Sequence, residues 1–144
     1  MKSVKRIFSL IICMIILSTT AFASEYDLAR TNSYISRTRA TIDVIGNGQL
    51  SIGFNISGKG KMDKIGATAI YLYENDGTST RIAQTFQYTD LNYSHLMGFD
   101  AYYHSGNVSY TGTQGYTYYA TVYFEAENSS GSGSTSYTTS IVTA

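Results

Sequence analysis

The feature that most constrains this chain is a strict alternation of apolar and polar residues over 49–57. Leu50, Ile52, Phe54 and Ile56 fall on one face, and the residues between them are small or polar. A strand places successive side chains on opposite faces, whereas a helix would scatter these two sets around its circumference. Residues 116–127 repeat the pattern. The sequence therefore predicts half-buried β-strands.

Turn residues and shorter alternating runs extend this prediction over most of the chain. Further strands are predicted at 40–44, 67–74, 81–86, 107–110 and 134–142, with turns at 46–48, 75–77, 112–115 and 128–133. Residues 58–61 are predicted as a loop, 62–66 as one helical turn whose Met62 and Ile65 plug the core, and 88–107 as the least regular segment. About seven short strands without a helical period favour an all-β, antiparallel two-sheet sandwich of immunoglobulin or fibronectin III type. A small closed barrel is the alternative.

The N-terminal segment has the three parts of a secretory signal. Lys2, Lys5 and Arg6 are followed by the apolar run 7–17 and by Ala21-Phe22-Ala23, an A-x-A cleavage site. We predict a signal peptide over 1–23, a flexible leader over 24–33 and one β-sandwich domain over 34–144. An uncleaved anchor is the alternative, although the apolar run is short for a membrane span.

The composition after the predicted cleavage site narrows the classes of partner. The segment 24–144 holds seven Lys and Arg against ten Asp and Glu, a net charge of −3. A mildly acidic surface without a basic cluster argues against nucleic acid and against anionic membranes. The single cysteine, Cys13, lies within the signal, so neither a disulfide nor thiolate chemistry is expected. A small secreted domain without disulfides favours a bacterial origin.

Two resemblances support this picture. The run from Tyr118 to Gly131, with Val108, Tyr110, Gly112 and Gly115 before it, resembles the end of a fibronectin type III domain. There, a tyrosine opening a strand after a tight turn bonds backbone upstream. The runs 46–52, 62–67, 118–120 and 128–134 resemble small secreted β-sandwich proteins of Gram-positive gut bacteria. That resemblance implies secretion and a fold, and it assigns no functional residue.

Catalytic chemistry finds little support in the residue types present. His95 and His104 are the only histidines, and no Gly-x-Ser-x-Gly elbow accompanies them. Glu125 and Glu127 share one strand face, but that face is predicted to meet solvent, where general-acid catalysis is poor. His95, Asp100 and His104 lack the tight spacing of a zinc site, and no calcium loop is evident. We therefore expect no enzyme activity, cofactor or metal.

Tyrosines form the strongest candidate for a binding site. If the strands 67–74 and 116–127 are neighbours, Tyr71, Tyr73, Tyr119 and Tyr123 share one outer face. Tyr102 and Tyr103, in the irregular segment, form a second candidate. Tyrosine is favoured in interfaces, although cross-strand aromatic pairs also stabilise a sheet without any ligand.

The favoured function is a secreted, non-catalytic module that binds a glycan or a protein. A self-associating structural surface protein is the alternative, because Tyr- and Thr-rich strands with few charges can pair edge to edge. A secreted effector or enzyme using His95 and His104 is a second alternative. The sequence leaves the ligand and the oligomeric state open.

Overall fold

The fold is built almost entirely from antiparallel strands, as the alternation predicts. The computed structural model describes residues 32–144; the predicted signal peptide over 1–23 and most of the predicted leader over 24–33 lie outside the described residues. The elements are β1 Ile35–Gly46, β2 Gln49–Asn75, β3 Thr80–Gln87, a 3₁₀ helix Leu91–Leu96, β4 Met97–Thr111, β5 Thr117–Asn128, β6 Gly131–Thr138 and β7 Val142–Thr143. The all-β class and the number of strands are thus confirmed.

All seven strands belong to one curled sheet that is organised around β2. The first half of this 27-residue strand lies between β1 and β4, and its second half lies between β3 and β5. β6 and β7 extend the sheet from β5. Register shifts occur in β2 between Ser57 and Met62 and between Ala67 and Ala69. Such irregularities bend a strand and increase its twist.

The core lies between the two halves of the curled sheet. Phe54 in the first half of β2 contacts Phe124 on β5, with ring centroids 6.0 Å apart in an edge-to-face arrangement. The apolar members of both alternating runs are buried: Leu50, Ile52, Phe54, Ile56, Tyr118, Ala120, Val122, Phe124 and Ala126. Because a fully buried large apolar side chain contributes about 1.5–3 kcal/mol relative to an exposed one, this stripe supplies much of the driving force for folding.

The predicted turns are present where their residues suggest. Asn47 and Gly48 both have positive φ, 53° and 76°, in the hairpin between β1 and β2. In the hairpin that follows Asn75, the Asp76 carboxylate accepts hydrogen bonds from the backbone N–H groups of Thr78 and Ser79 at 2.8 and 2.9 Å. These two bonds lower the pKa of Asp76 below its ordinary value. The residue types in each turn therefore determine both hairpins.

The predictions for 58–66 are wrong. The segment is neither a loop nor a helical turn, because it continues β2, with Lys64 opposite both Phe99 of β4 and Glu127 of β5. The expected burial of Met62 and Ile65 does hold. Their spacing of three suggested a helix, but pairing with β4 from Met62 and with β5 from Lys64 makes the segment a strand. The predicted strands 49–57 and 67–74 are consequently one strand.

The predicted irregular segment 88–107 is more ordered than expected. The Asp90 side chain accepts from the Asn92 N–H at 3.0 Å and begins the 3₁₀ helix, and β4 starts ten residues before the predicted strand. Leu96 and Met97 are buried and close the core. Phe99 does not, since it is 67% exposed. The start of β4 was missed because glycines and polar residues interrupt its alternation.

Candidate functional site

Four tyrosines stand together on the outer surface of the second half of the sheet. Tyr71 and Tyr73 come from β2, and Tyr119 and Tyr123 come from β5. The rings of Tyr73 and Tyr119 are stacked, with centroids 4.8 Å apart and planes 10° apart. Those of Tyr71 and Tyr123 meet edge to face at 5.5 Å and 79°. We call these four residues the tyrosine face.

Strand alternation and register together create this face. Ile70 and Leu72 on β2 point inward and are fully buried, so Tyr71 and Tyr73 point outward. On β5, Ala120 and Val122 are inward in the same way. Tyr73 lies directly opposite Tyr119, and Tyr123 lies opposite Ala69, within ring reach of Tyr71.

The phenol groups of the face are close enough to influence one another. Burial raises the pKa of the Tyr73 hydroxyl above its ordinary value, and the other three phenols of the face raise it further. An ordinary tyrosine has a pKa of about 10, so the Tyr73 hydroxyl is protonated at neutral pH. It can therefore donate a hydrogen bond as well as accept one. Tyr123 is 43% exposed and offers the most accessible ring.

The second predicted tyrosine site lies elsewhere in the fold. Tyr102 and Tyr103 belong to β4 and are 64% and 52% exposed. Tyr103 is opposite Ser57, at the irregular point of β2 and far along that strand from Tyr71. Nearby, the Lys61 ammonium and the Asp100 carboxylate form an exposed ion pair at 2.7 Å. The two groups of tyrosines are thus separate surfaces.

Both histidines are engaged with backbone carbonyls. His95 Nε2 lies 3.1 Å from the Asn107 oxygen, and His104 Nε2 lies 2.9 Å from the His95 oxygen. Because a carbonyl only accepts, each Nε2 must carry the hydrogen. These bonds tie the 3₁₀ helix to β4. Within residues 32–144, no three His, Cys, Asp or Glu side chains are grouped so that they could hold a metal ion.

The two carboxylates that share the outward face of β5 have different surroundings. Glu125 pairs with the Lys64 ammonium at 3.2 Å, beside the tyrosine face, and Glu127 is exposed. The same Lys64 ammonium lies 4.9 Å from the centroid of the Tyr88 ring. Lys64 and Glu125 thus mark one end of the face with a neutralised pair of charges.

Tyr118, Glu74 and Arg81 form a polar network at the other end of the sheet, and the sequence predicts only the backbone contact of Tyr118. The Tyr118 hydroxyl accepts from the Thr113 N–H at 2.8 Å, as the corner-tyrosine resemblance implies, and donates to Glu74 Oε2 at 3.1 Å. Arg81 Nε donates to Glu74 Oε1 at 2.7 Å. The sequence signal for this partner is that Glu74 continues the inward series of Ile70 and Leu72.

We expect the variant Tyr118→Phe to lose about 1–3 kcal/mol of unfolding free energy near pH 7, because the Thr113 N–H and the buried Glu74 carboxylate each lose a partner. Burial raises the pKa of Tyr118, and Glu74 raises it further, while the bond from Thr113 opposes the shift. The stabilisation from this raised pKa is complete below about pH 10, the unfolded value, and is lost as pH rises through the folded value.

Urea denaturation of the wild type and of Tyr118→Phe, at neutral pH and above about pH 10, checks this expectation. The difference in unfolding free energy between the two proteins should be smaller at the higher pH. Tyr137→Phe, at an exposed position on β6, is the matched control and should change little. A Tyr118→Phe protein as stable as the wild type at pH 7 would contradict the role of the network.

Comparison with known proteins adds no family to this description. No protein-family model matches the chain, and no curated protein is significantly similar to it. Fold and geometry therefore define it as an all-β protein built on one curled antiparallel sheet that carries an aromatic outer face. Among the described residues, 32–144, no helix is long and apolar enough to cross a membrane.

Proposed function

We propose that this protein is a secreted, non-catalytic binding module that contacts a glycan or a protein through the tyrosine face. The observation that carries the proposal is the pairing of four tyrosines across β2 and β5 on one outer surface. Tyrosine gives large, rigid contact area at low conformational-entropy cost, and its hydroxyl adds a hydrogen bond.

Stabilisation of the sheet is the competing explanation for these residues. Each cross-strand aromatic pair stabilises the sheet by roughly 0.2–1 kcal/mol without any ligand. The face holds two such pairs in different ring arrangements, with Tyr123 43% exposed and the other three tyrosines half-buried. Tyrosines that are grouped on an outer surface and stay partly accessible support a role in binding, because tyrosine is enriched in interfaces.

Secretion and architecture complete the proposal. The three-part N-terminal pattern over 1–23 supports export, and the resemblance to small secreted proteins of Gram-positive gut bacteria favours an extracellular site of action. Contact between Phe54 and Phe124 across the core supports a two-layer, immunoglobulin- or fibronectin-like arrangement of the two halves of the sheet. Engagement of both histidine Nε2 atoms in the scaffold supports a role without catalysis.

Replacing all four tyrosines of the face by serine tests the proposal. Glycan and protein arrays probed with wild-type protein identify binders, and the variant should bind them at least about 30-fold more weakly, since a single interface hot spot is worth about 2 kcal/mol. The far-ultraviolet circular dichroism of the variant should remain that of a β-protein, because all four positions point away from the core.

The double variant Tyr102→Ser, Tyr103→Ser is the matched control, because it removes exposed tyrosines from a separate strand. It should keep wild-type binding. If the fourfold variant retains affinity for every array ligand, the tyrosine face is not the binding surface. If only the double variant loses affinity, the binding site lies on β4.

A further inference from the structure

The chemical class of the ligand can be inferred from what surrounds the tyrosine face. In the strand register, its neighbours on β2, β3, β5 and β6 form rows of residues across the sheet. None of these side chains is charged: Ala69, Gln87 and Ser136 beside Tyr123; Thr85, Thr121 and Thr138 beside Tyr71; and Ile82 beside the pair of Tyr73 and Tyr119. The face is therefore neutral and rich in hydroxyl groups.

The charged groups closest to each end of the face have partners, while the next outward carboxylate, that of Glu127, is exposed. At one end the Lys64 ammonium and the Glu125 carboxylate pair at 3.2 Å. At the other end the Asp76 carboxylate accepts two backbone N–H groups. An acidic glycan or a nucleic acid would need unpaired cations to bind here, and the face supplies none from its own residues.

The rings and hydroxyls provide two kinds of contact that sugars use. Sugar rings have apolar C–H surfaces that pack on aromatic faces, and hydroxyls that both donate and accept hydrogen bonds. Tyr123 is 43% exposed, and its pairing with Tyr71 at 79° holds the two rings nearly perpendicular to one another. The Tyr119 ring is half-buried and stacks on Tyr73 at 4.8 Å, and the β5 backbone beside it is bonded to Thr139 and paired with β7.

The dimensions suit an extended chain. The paired segment of β2 from Ala69 to Asn75 spans about 20 Å at roughly 3.3 Å per residue, and four strands side by side span about 14 Å. The only strongly exposed aliphatic side chain in these rows is Ile82, at 52%. A stable protein interface has an apolar core with hydrophobic anchors, so this hydroxyl-rich surface fits a polysaccharide better.

We propose that the tyrosine face binds an uncharged polysaccharide, whose chain lies across β2 and β5 with sugar rings against Tyr123 and Tyr119. The inference rests on the proposed function and specifies its ligand. Binding is independent of ionic strength, because no ion pair forms in the complex. The hydroxyls of the tyrosines and threonines orient the chain, and the aromatic rings supply contact area.

Affinity electrophoresis in gels containing soluble polysaccharides tests this. The probes are neutral polymers, namely a β-glucan, a xylan, a galactomannan and an α-glucan, and two acidic polymers, alginate and hyaluronan, each at low and high salt. We expect at least one neutral polymer to retard the wild-type protein equally at both salt concentrations, and the acidic ones to have no effect. Tyr119→Ser combined with Tyr123→Ser should weaken retardation at least about tenfold, whereas Tyr102→Ser combined with Tyr103→Ser should not.

The possible negative results distinguish failure of the ligand class from failure of the proposed function. If no neutral polymer retards the protein, or only an acidic polymer does so at low salt, the ligand class is overturned. If tyrosine-dependent binding to a protein, or self-association seen by light scattering, occurs instead, the polysaccharide inference fails while the face remains a binding surface. If a neutral polymer binds equally well to the Tyr119, Tyr123 variant, these two rings are not the sugar contacts and the inference fails; if it also binds equally well to the fourfold variant, the proposed function fails.

Discussion

Replacing Phe124 with alanine is expected to reduce the free energy of unfolding by about 3–5 kcal/mol, the usual cost of deleting a buried aromatic ring. Phe124 is 1% exposed and packs edge to face on Phe54, so it joins β5 to the opposite half of the curled sheet. Truncation would leave a cavity between the two halves. Urea denaturation followed by circular dichroism measures the loss.

The adjacent residue supplies the matched control. Tyr123 lies on the same strand but faces outward and is 43% exposed. Tyr123→Ala should cost no more than about 1 kcal/mol, the contribution of its cross-strand pair with Tyr71. Similar losses for the two substitutions would mean that β5 does not separate a buried face from an exposed one.

A methyl group added at Gly66 is expected to destabilise the protein by about 1–3 kcal/mol or more, the cost of overpacking. Gly66 lies where β2 is paired on both sides, opposite Met97 of β4 and Glu125 of β5. A Cβ atom there would clash with the Leu96 carbonyl oxygen and would approach the Met97 Cα at 2.8 Å. Both are backbone atoms, so relief requires moving the end of the 3₁₀ helix and the start of β4.

Gly60→Ala on the same strand is the control for Gly66→Ala. No atom lies within 4 Å of a Cβ built at Gly60. Its effect should stay within about 1 kcal/mol, because the only change is the conformational freedom of the unfolded chain. Thermal or urea unfolding of the two variants compares them directly. Equal stability of both would show that β4 does not pack against the centre of β2 in the way described.

At the candidate site, the sequence pattern predicts which side chains face outward but not which of them are in contact. Inward Ile70 and Leu72, and inward Ala120 and Val122, are enough to assign Tyr71, Tyr73, Tyr119 and Tyr123 to outer faces. That two pairs of them are in contact depends on the register of β2 against β5. Register is set by non-local pairing, and shifting it by one residue would reverse the faces.

The network around Tyr118 illustrates the same limit. Its backbone partner, Thr113, is five residues away and belongs to the turn that the sequence itself suggests. Its side-chain partner, Glu74, is separated by 44 residues, and the two carboxylate oxygens of Glu74 are shared between Tyr118 and Arg81. The cost of burying the Glu74 carboxylate is offset because the neighbouring strands β5 and β3 supply its two partners.

The sequence by itself determined the strand-rich class, the tight turns and the inward residues of the two best alternating runs, because side-chain period and turn chemistry act over a few residues. Only the tertiary structure decided that 49–75 is one continuous strand, that β4 begins at Met97, and that one sheet curls around a single core. These features depend on backbone hydrogen bonds between distant segments, and such bonds can override local periodicity wherever a partner strand is available.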